Sequence, residues 1–465
     1  MTKTNRMLNK KILLLLLAVL VCGGIGAASR PWDHGALTVS ANGRFLMHQD
    51  GTPFFVQGET AWLMPEKLRR EEVDLYLQRC EQAGYNMVQV QVLNGVPSVN
   101  AYGQLSHVDG WNFPAQKGIY GYWEHLDYIV DQASRHGIYV GMVCIWGSQV
   151  KAGKMNEQEA RQYGTFLARR YGACKNIIWI IGGDIEGSIH PEVWTALATA
   201  IKDLDRSHLM TYHPRGRYTS ARWWADAPWI DFHCFQSGHR RYGQATPGKD
   251  YPIPVGSEED NWMYVDSTWI RQPLKPVIDD EPSYEDIPQG LHDGTQPRWQ
   301  ACDVRRYAYW SVFAGSCGHT YGHNSIMQFH RPGEAAAYSA GMPWYEALNA
   351  PGFNQMHILK DLILRFPYFE RVPDQDIVIG NGTRYDRLAA TRGDDYLLVY
   401  NYTGREMRLD LTRISGQRKR LWWMDAATGR LTCIGECPSK VYTFRPIVSG
   451  DGVFIAVDAS KAYLP

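Results

Sequence analysis

The chain has 465 residues, 45% of them hydrophobic and 21% charged, with a formal net charge of zero. That balance excludes a disordered or fibrous protein and allows one large domain plus a smaller one. It also lacks the basic excess that a nucleic-acid partner calls for.

The first residues read as a targeting segment. Lys3, Arg6, Lys10 and Lys11 form a basic start, Ile12 to Val21 an apolar core, and Gly26-Ala27-Ala28 a small-residue cleavage site before Ser29. Residues 1–28 are therefore expected to be a cleaved signal peptide, which implies a periplasmic or secreted protein. A lipid anchor on Cys22 is the weaker alternative, because the bulky Val21 precedes it. Without the four basic residues of the leader the count is 44 basic against 48 acidic, a net of −4. No later segment is apolar enough to span a membrane.

Residues 37–56 have the pattern of antiparallel strands with turns at Asn42-Gly43 and Asp50-Gly51. Strand and helix patterns then alternate. The expected strands are Phe54–Gly58, Met87–Leu93, Tyr139–Trp146, Ile177–Gly182, Leu209–His213, Ile230–Phe235, Pro276–Asp280 and Gly318–Tyr321. Between them, Tyr122, Leu126, Ile129, Val130 and Ala133 recur at helical spacing and stop at Gly137. Asn156 with Glu159 three residues later reads as a capping box for a helix to Tyr171. Pro191 suits a first helical turn. Eight such alternations predict an α/β protein with a (β/α)8 TIM barrel over residues 29–368, the hairpin included. Beyond it, short runs such as Tyr396–Tyr400, Arg420–Met424, Leu431–Ile434 and Val453–Val457 alternate with Gly, Asn and Asp turns. They predict an all-β sandwich over residues 369–465. Nine cysteines are too sparse for a disulfide scaffold. Cys144 and Cys234 suit a core, while Cys433 and Cys437 bracket a turn at Gly435 and could pair.

Two apolar runs end in carboxylates. Ile177–Ile181 leads through Gly182-Gly183 to Asp184, and Pro276-Val277-Ile278 leads to Asp279-Asp280-Glu281-Pro282. In a barrel these are the fourth and seventh strands, and residues past strand ends lie at the catalytic mouth. Two facing carboxylates, one protonated and one ionised, are the minimum for cleaving a glycosidic bond. Asp184 could equally be a helix N-cap, and the second acidic run a solvated strand exit. Strand alternation would aim Asp279 and Glu281 one way and Asp280 the other. Glu186 is a reserve candidate for the acid.

The 17 Trp and 27 Tyr residues offer flat faces for sugar rings. Trp62, Trp146 and Tyr321 fall at or just past strand ends, whereas Trp179 is mid-strand and reads as core. His213, His233, His239, His319 and His323 invite a metal, but the first strand carries Gln57-Gly58-Glu59 and not an HxH pair. Sugar-binding roles for Glu59, His213 and His233 are therefore favoured, with a core role as the alternative for His233; no metal or cofactor is expected.

Gly-Glu-Thr-Ala-Trp at 58–62, Ile-Gly-Gly-Asp at 181–184, His-Pro at 213–214 and Asp-Glu-Pro-Ser-Tyr-Glu at 280–285 resemble the apiosidase-like glycoside hydrolases. That family carries a (β/α)8 barrel followed by a β-sandwich once labelled collagen-binding. The resemblance runs over roughly residues 34–460. It implies that Asp184 is the acid/base and Glu281 the nucleophile of a retaining mechanism. It also implies a pectic substrate of the rhamnogalacturonan II kind, cleaved at apiose linkages. The family usually has Asp where this chain has Glu59. A barrel glycosidase for another plant or host glycan is the alternative. A non-catalytic glycan- or matrix-binding protein is disfavoured by the two intact carboxylates.

Overall fold

A computed structural model describes residues 30–113, 117–245, 252–446 and 450–464. The expected leader and Cys22 lie outside the described residues. Three short antiparallel strands open the fold: β1 (Leu37–Val39), β2 (Leu46–His48) and β3 (Pro53–Phe54). The turns between them place Gly43 and Gly51 at positive φ.

Eight parallel strands follow: β4 (Val56–Thr60), β5 (Met87–Gln91), β6 (Tyr139–Val143), β7 (Ile177–Ile185), β8 (Met210–Pro214), β9 (His233–Phe235), β10 (Val277–Asp279) and β11 (Gly318–Tyr321). They run in the order β8-β7-β6-β5-β4-β11-β10-β9. The seam between β8 and β9 is stitched by the Asp231 amide donating to the Met210 carbonyl at 2.8 Å. Thr211 Oγ1 donates to the Phe232 carbonyl, and the Met210 amide to the Asp231 carboxylate. Nearly every residue of these strands is buried, as a sheet covered on both faces requires. Each fully buried Val, Leu or Ile contributes about 1.5–3 kcal/mol. Trp179 is core, its indole N–H donating to Asp205 at 2.8 Å. The helix Glu157–Tyr171 has the reciprocal Asn156–Glu159 capping box, and the helix Pro191–Leu204 starts at its proline.

The C-terminal part is antiparallel. A six-stranded sheet is made of β12 (Val372–Pro373), β13 (Leu388–Arg392), β14 (Tyr396–Asn401), β16 (Arg418–Asp425), β17 (Leu431–Pro438) and β19 (Gly452–Asp458). A pair, β15 (Met407–Asp410) and β18 (Val441–Phe444), packs on one face of it. Alternation sorts the side chains. Leu397, Val399, Trp423, Phe454 and Ala456 form the sandwich core with Leu409 and Phe444. Leu398, Tyr400, Trp422, Val453 and Ile455 point the other way and merge with the barrel core. The strands β13, β14, β16 and β19 are thus largely buried on both faces, while the edge strands β12 and β17 stay partly exposed.

Cys433 and Cys437 do not pair; both are free. They lie four residues apart on the single strand β17. At about 3.3 Å per residue that separation is roughly twice the Cα spacing a disulfide tolerates. Among the described residues no helix is long and apolar enough to cross a membrane.

Candidate active site

The carboxyl ends of the barrel strands open into a cavity of about 440 Å3, within the size range of small-ligand sites. Asp184, Glu281, Trp62 and Trp146 all line it. Asp184 is delivered by a distortion in β7. Gly182, Gly183 and Asp184 all have positive φ (86°, 127° and 49°), and the register with β8 shifts between Gly182 and Ile185. The glycines are sterically required: a Cβ on Gly183 would sit 2.8 Å from the Trp146 ring, and one on Gly182 would sit 2.6 Å from the His213 carbonyl. A non-glycine residue held in the left-handed region is a form of strain that gathers at functional sites. The distortion turns the Asp184 carboxyl into the cavity, where Oδ1 accepts from the Gly216 amide at 3.1 Å.

Glu281 follows β10 and is nearly buried. Its Oε1 lies 3.1 Å from His239 Nε2 and its Oε2 lies 3.1 Å from His213 Nε2. The second approach is off the axis of an ideal hydrogen bond, so it acts chiefly through charge. The Tyr284 amide donates to His239 Nδ1 at 3.4 Å, which leaves Nε2–H to donate to Glu281. His213 Nδ1 is 3.0 Å from the Pro214 carbonyl and 3.3 Å from the Asp184 amide.

The two carboxyls are driven apart electrostatically. For Asp184, crowding by the pocket walls and then the facing Glu281 charge raise the pKa, against the Gly216 hydrogen bond. Its side chain still meets solvent in the cavity. Burial alone would raise Glu281 too, but the close charge of His213 and the hydrogen bond and charge of His239 hold it well below the ordinary carboxylate range. Burial would lower His213, yet Asp280, Glu281 and Asp184 together raise it to about 9. One acid is thus biased towards the protonated form and the other towards the ionised form, which is the division acid/base chemistry needs.

Four of the expected pocket residues are placed elsewhere or differently. Glu59 and Tyr321 pair in register on β4 and β11, so they share a face, and it is the helical one. Glu59 accepts from Tyr76 in the helix Arg70–Gln82, and Tyr321 packs on Phe353 while its hydroxyl donates to Glu285 at 2.6 Å. His233 begins β9 and so sits at the opposite end of the barrel, bonded to Ser220 Oγ; burial lowers its pKa to about 3. His213 is fully buried behind the pocket wall, between the rings of Trp62 (5.3 Å) and Trp146 (5.8 Å). The reserve acid Glu186 is 3.2 Å from the Arg215 guanidinium and does not line the cavity. Alternation past β10 also fails. Asp279 is bound by Ser237 and Asn261, away from Glu281, and burial raises it to about 8.

Sequence reading missed the three arginines of the cavity. Arg215, Arg217 and Arg240 line it together with His239, His292 and the indoles of Trp62 and Trp146. These residues come from loops after β8, β9 and β10, where no periodicity marks them. Among the described residues no three His, Cys, Asp or Glu side chains cluster closely enough to hold a metal ion.

Residues 40–370 match the family model described as "Apiosidase-like, catalytic domain", and residues 372–453 match "Putative collagen-binding domain of a collagenase". A solved structure named "Glycoside hydrolase" is 57% identical, covers 94% of this chain and 100% of its own, and superposes with a TM-score of 0.92. A glycoside hydrolase family 5 structure from Bacteroides vulgatus ATCC 8482 is 59% identical, with 94% and 97% covered and a TM-score of 0.93. No curated protein matches. The motifs, the barrel and these likenesses agree: the chain belongs to the apiosidase-like glycoside hydrolases.

Proposed function

We propose that the protein is a retaining glycosidase in which Asp184 is the acid/base and Glu281 the nucleophile. The observation that carries this reading is the opposed protonation bias of two carboxyls lining one cavity. In the first step Asp184 gives its proton to the glycosidic oxygen while Glu281 Oε attacks the anomeric carbon; the C–O bond breaks and a glycosyl-enzyme ester forms. In the second step Asp184, now ionised, takes a proton from water, whose oxygen displaces Glu281 from the sugar. His213 and His239 keep Glu281 ionised between turnovers.

The substrate is an apiose-type linkage in a pectic glycan resembling rhamnogalacturonan II. Support comes from the family and from the residues that line the cavity. Indoles suit the apolar face of a small sugar, and three arginines suit the carboxylates of a uronic-acid backbone. Glu59 faces Tyr76, so replacing the family's usual Asp there does not remove a sugar contact. The N-terminal leader supports a periplasmic or secreted site of action, where such glycans are met. The test is digestion of rhamnogalacturonan II beside neutral hemicelluloses and host glycans, with Asp184→Asn and Glu281→Gln as controls. Release of apiose by the wild type alone supports the reading. Cleavage confined to a neutral glycan sinks the apiose assignment, and full activity in Glu281→Gln sinks the nucleophile.

A further inference from the structure

We propose that the β-sandwich domain helps to set the active-site cavity, with Tyr385 acting as a positioning residue for the loop that carries His239 and Arg240. That loop leaves β9 and contributes Gln236, Gly238, His239 and Arg240 to the cavity wall. Its first part is pinned to Glu281 itself, the Ser237 and Gly238 amides both donating to the Glu281 carbonyl at 3.1 Å. Its far part is held by the acidic run Glu258-Glu259-Asp260. The Gly243 amide donates to Glu258 at 3.0 Å, the Tyr242 amide to Glu259 Oε1 at 2.9 Å, and the Tyr242 hydroxyl to Asp260 at 2.6 Å.

The sandwich domain reaches into this holder. The Tyr385 hydroxyl donates to the same Glu259 Oε1 at 2.8 Å, so one carboxylate oxygen joins the pocket loop to the second domain. The Tyr385 ring also meets the Tyr242 ring at 5.3 Å, edge to face, and the Arg384 guanidinium lies 4.9 Å from that ring. Glu259 is fully buried and its charge is met by the fully buried Arg306 at 2.5 Å. Arg306 is in turn enclosed by rings that include Tyr385 (4.9 Å) and Tyr402 (5.1 Å) from the sandwich. A buried charged pair with hydrogen bonds on its remaining lone pairs is geometrically stiff. Position is thereby transmitted from Tyr385 through Glu259 to Tyr242, two residues from Arg240.

The experiment compares Tyr385→Phe, which keeps the ring and loses the hydroxyl, with Tyr402→Phe. Tyr402 lies in the same interface and cages the same arginine, but its hydroxyl donates to Asp303 and not to the loop's holder. Hydrogen–deuterium exchange of the full chain is read at residues 237–243. In Tyr385→Phe exchange there should rise about fivefold to tenfold, the worth of one hydrogen bond, with the rest of the barrel unchanged. In Tyr402→Phe that segment should keep its wild-type rate. On rhamnogalacturonan II, kcat/KM should fall by a similar factor in Tyr385→Phe alone. Unchanged exchange at 237–243, a uniform rise across the chain, or an equal effect in Tyr402→Phe overturns the proposal. The exchange reading needs no substrate, so it decides the matter even if the glycan assignment fails.

Discussion

His213 Nε2 lies 3.1 Å from Glu281 Oε2, although the two residues come from β8 and the exit of β10, with β9 between them in the chain. The imidazole is fully buried behind the two tryptophans and cannot itself reach a substrate. Its influence passes through charge. Replacing it with Asn should raise the Glu281 pKa, so the acid limb of the activity profile should move to higher pH by about one unit, the size of a close charge partner's effect. A pH–rate profile of His213→Asn that overlays the wild type would remove this role.

The pair also predicts the shape of the wild-type profile. Activity requires Glu281 ionised and Asp184 protonated. It should rise as pH passes the depressed Glu281 value and fall as pH passes the raised Asp184 value. Asp184→Asn should lower kcat by about 10^2–10^4 and abolish the alkaline limb. An alkaline limb that persists in Asp184→Asn would assign it to another group.

Stability follows the same charges with opposite signs. His213 is raised from 6.5 to about 9, so its contribution is complete below about 6.5 and is lost as pH rises through about 9. Glu281 is lowered from 4.5, so its contribution is complete above that value and is lost as pH falls through the depressed one. Thermal unfolding should therefore show a plateau between roughly pH 5 and 6.5 with a decline on each side. In His213→Asn the alkaline decline attributable to this ring should vanish, which a series of melting curves would reveal.

Gly183→Ala isolates the distortion in β7. A methyl group there meets Trp146 at 2.8 Å, and φ is 127°. The strain should cost about 1–3 kcal/mol of stability. Activity should fall more steeply than stability, because displacing either neighbour moves Asp184 or a cavity wall. Equal losses in melting temperature and in kcat/KM would show that the glycine serves packing alone.

Much of this was legible in the sequence, for identifiable reasons. Strands such as β6 and the Ile177–Ile181 part of β7 announced themselves because they are buried on both faces and so read as apolar runs, whereas β4 and β11 carry Gln57, Glu59, His319 and Thr320 in buried positions. Asn156–Glu159 and Pro191 marked helix starts through local chemistry that tertiary packing did not override. The placements of Glu59 and Tyr321 went wrong because period-two alternation turns a residue to the other face with a single step. No property of either residue says which face it takes. His233 lay within the expected strand Ile230–Phe235, whereas β9 begins only at that residue. Asp184 and Glu186 were separable only through the three positive φ values, which the Gly182-Gly183 pair hinted at. Arg215, Arg217 and Arg240 sit on irregular loops, where sequence spacing carries no spatial meaning.

The sandwich domain makes the last prediction. Leu398, Tyr400, Trp422, Val453 and Ile455 turn one sheet face onto the barrel, and Tyr400 stacks on Tyr309 at 4.5 Å. Arg305 forms a two-pronged pair with Asp451 at 2.9 and 2.6 Å, with both residues buried. Ending the chain near residue 370 would strip the counter-charge from Arg305 and expose apolar barrel surface. An uncompensated buried charge alone costs about 3–5 kcal/mol, a large share of a domain's usual margin. The truncated barrel should therefore aggregate or fail to accumulate, which size-exclusion chromatography and circular dichroism would detect. All the cavity's lining residues among those described lie between Trp62 and Tyr338, so the loss would come from the support of the pocket and not from its chemistry. A soluble monomeric barrel with the full-length melting temperature would refute this account. Saturable binding of a polysaccharide or of collagen by the isolated sandwich would give that domain a targeting role in addition.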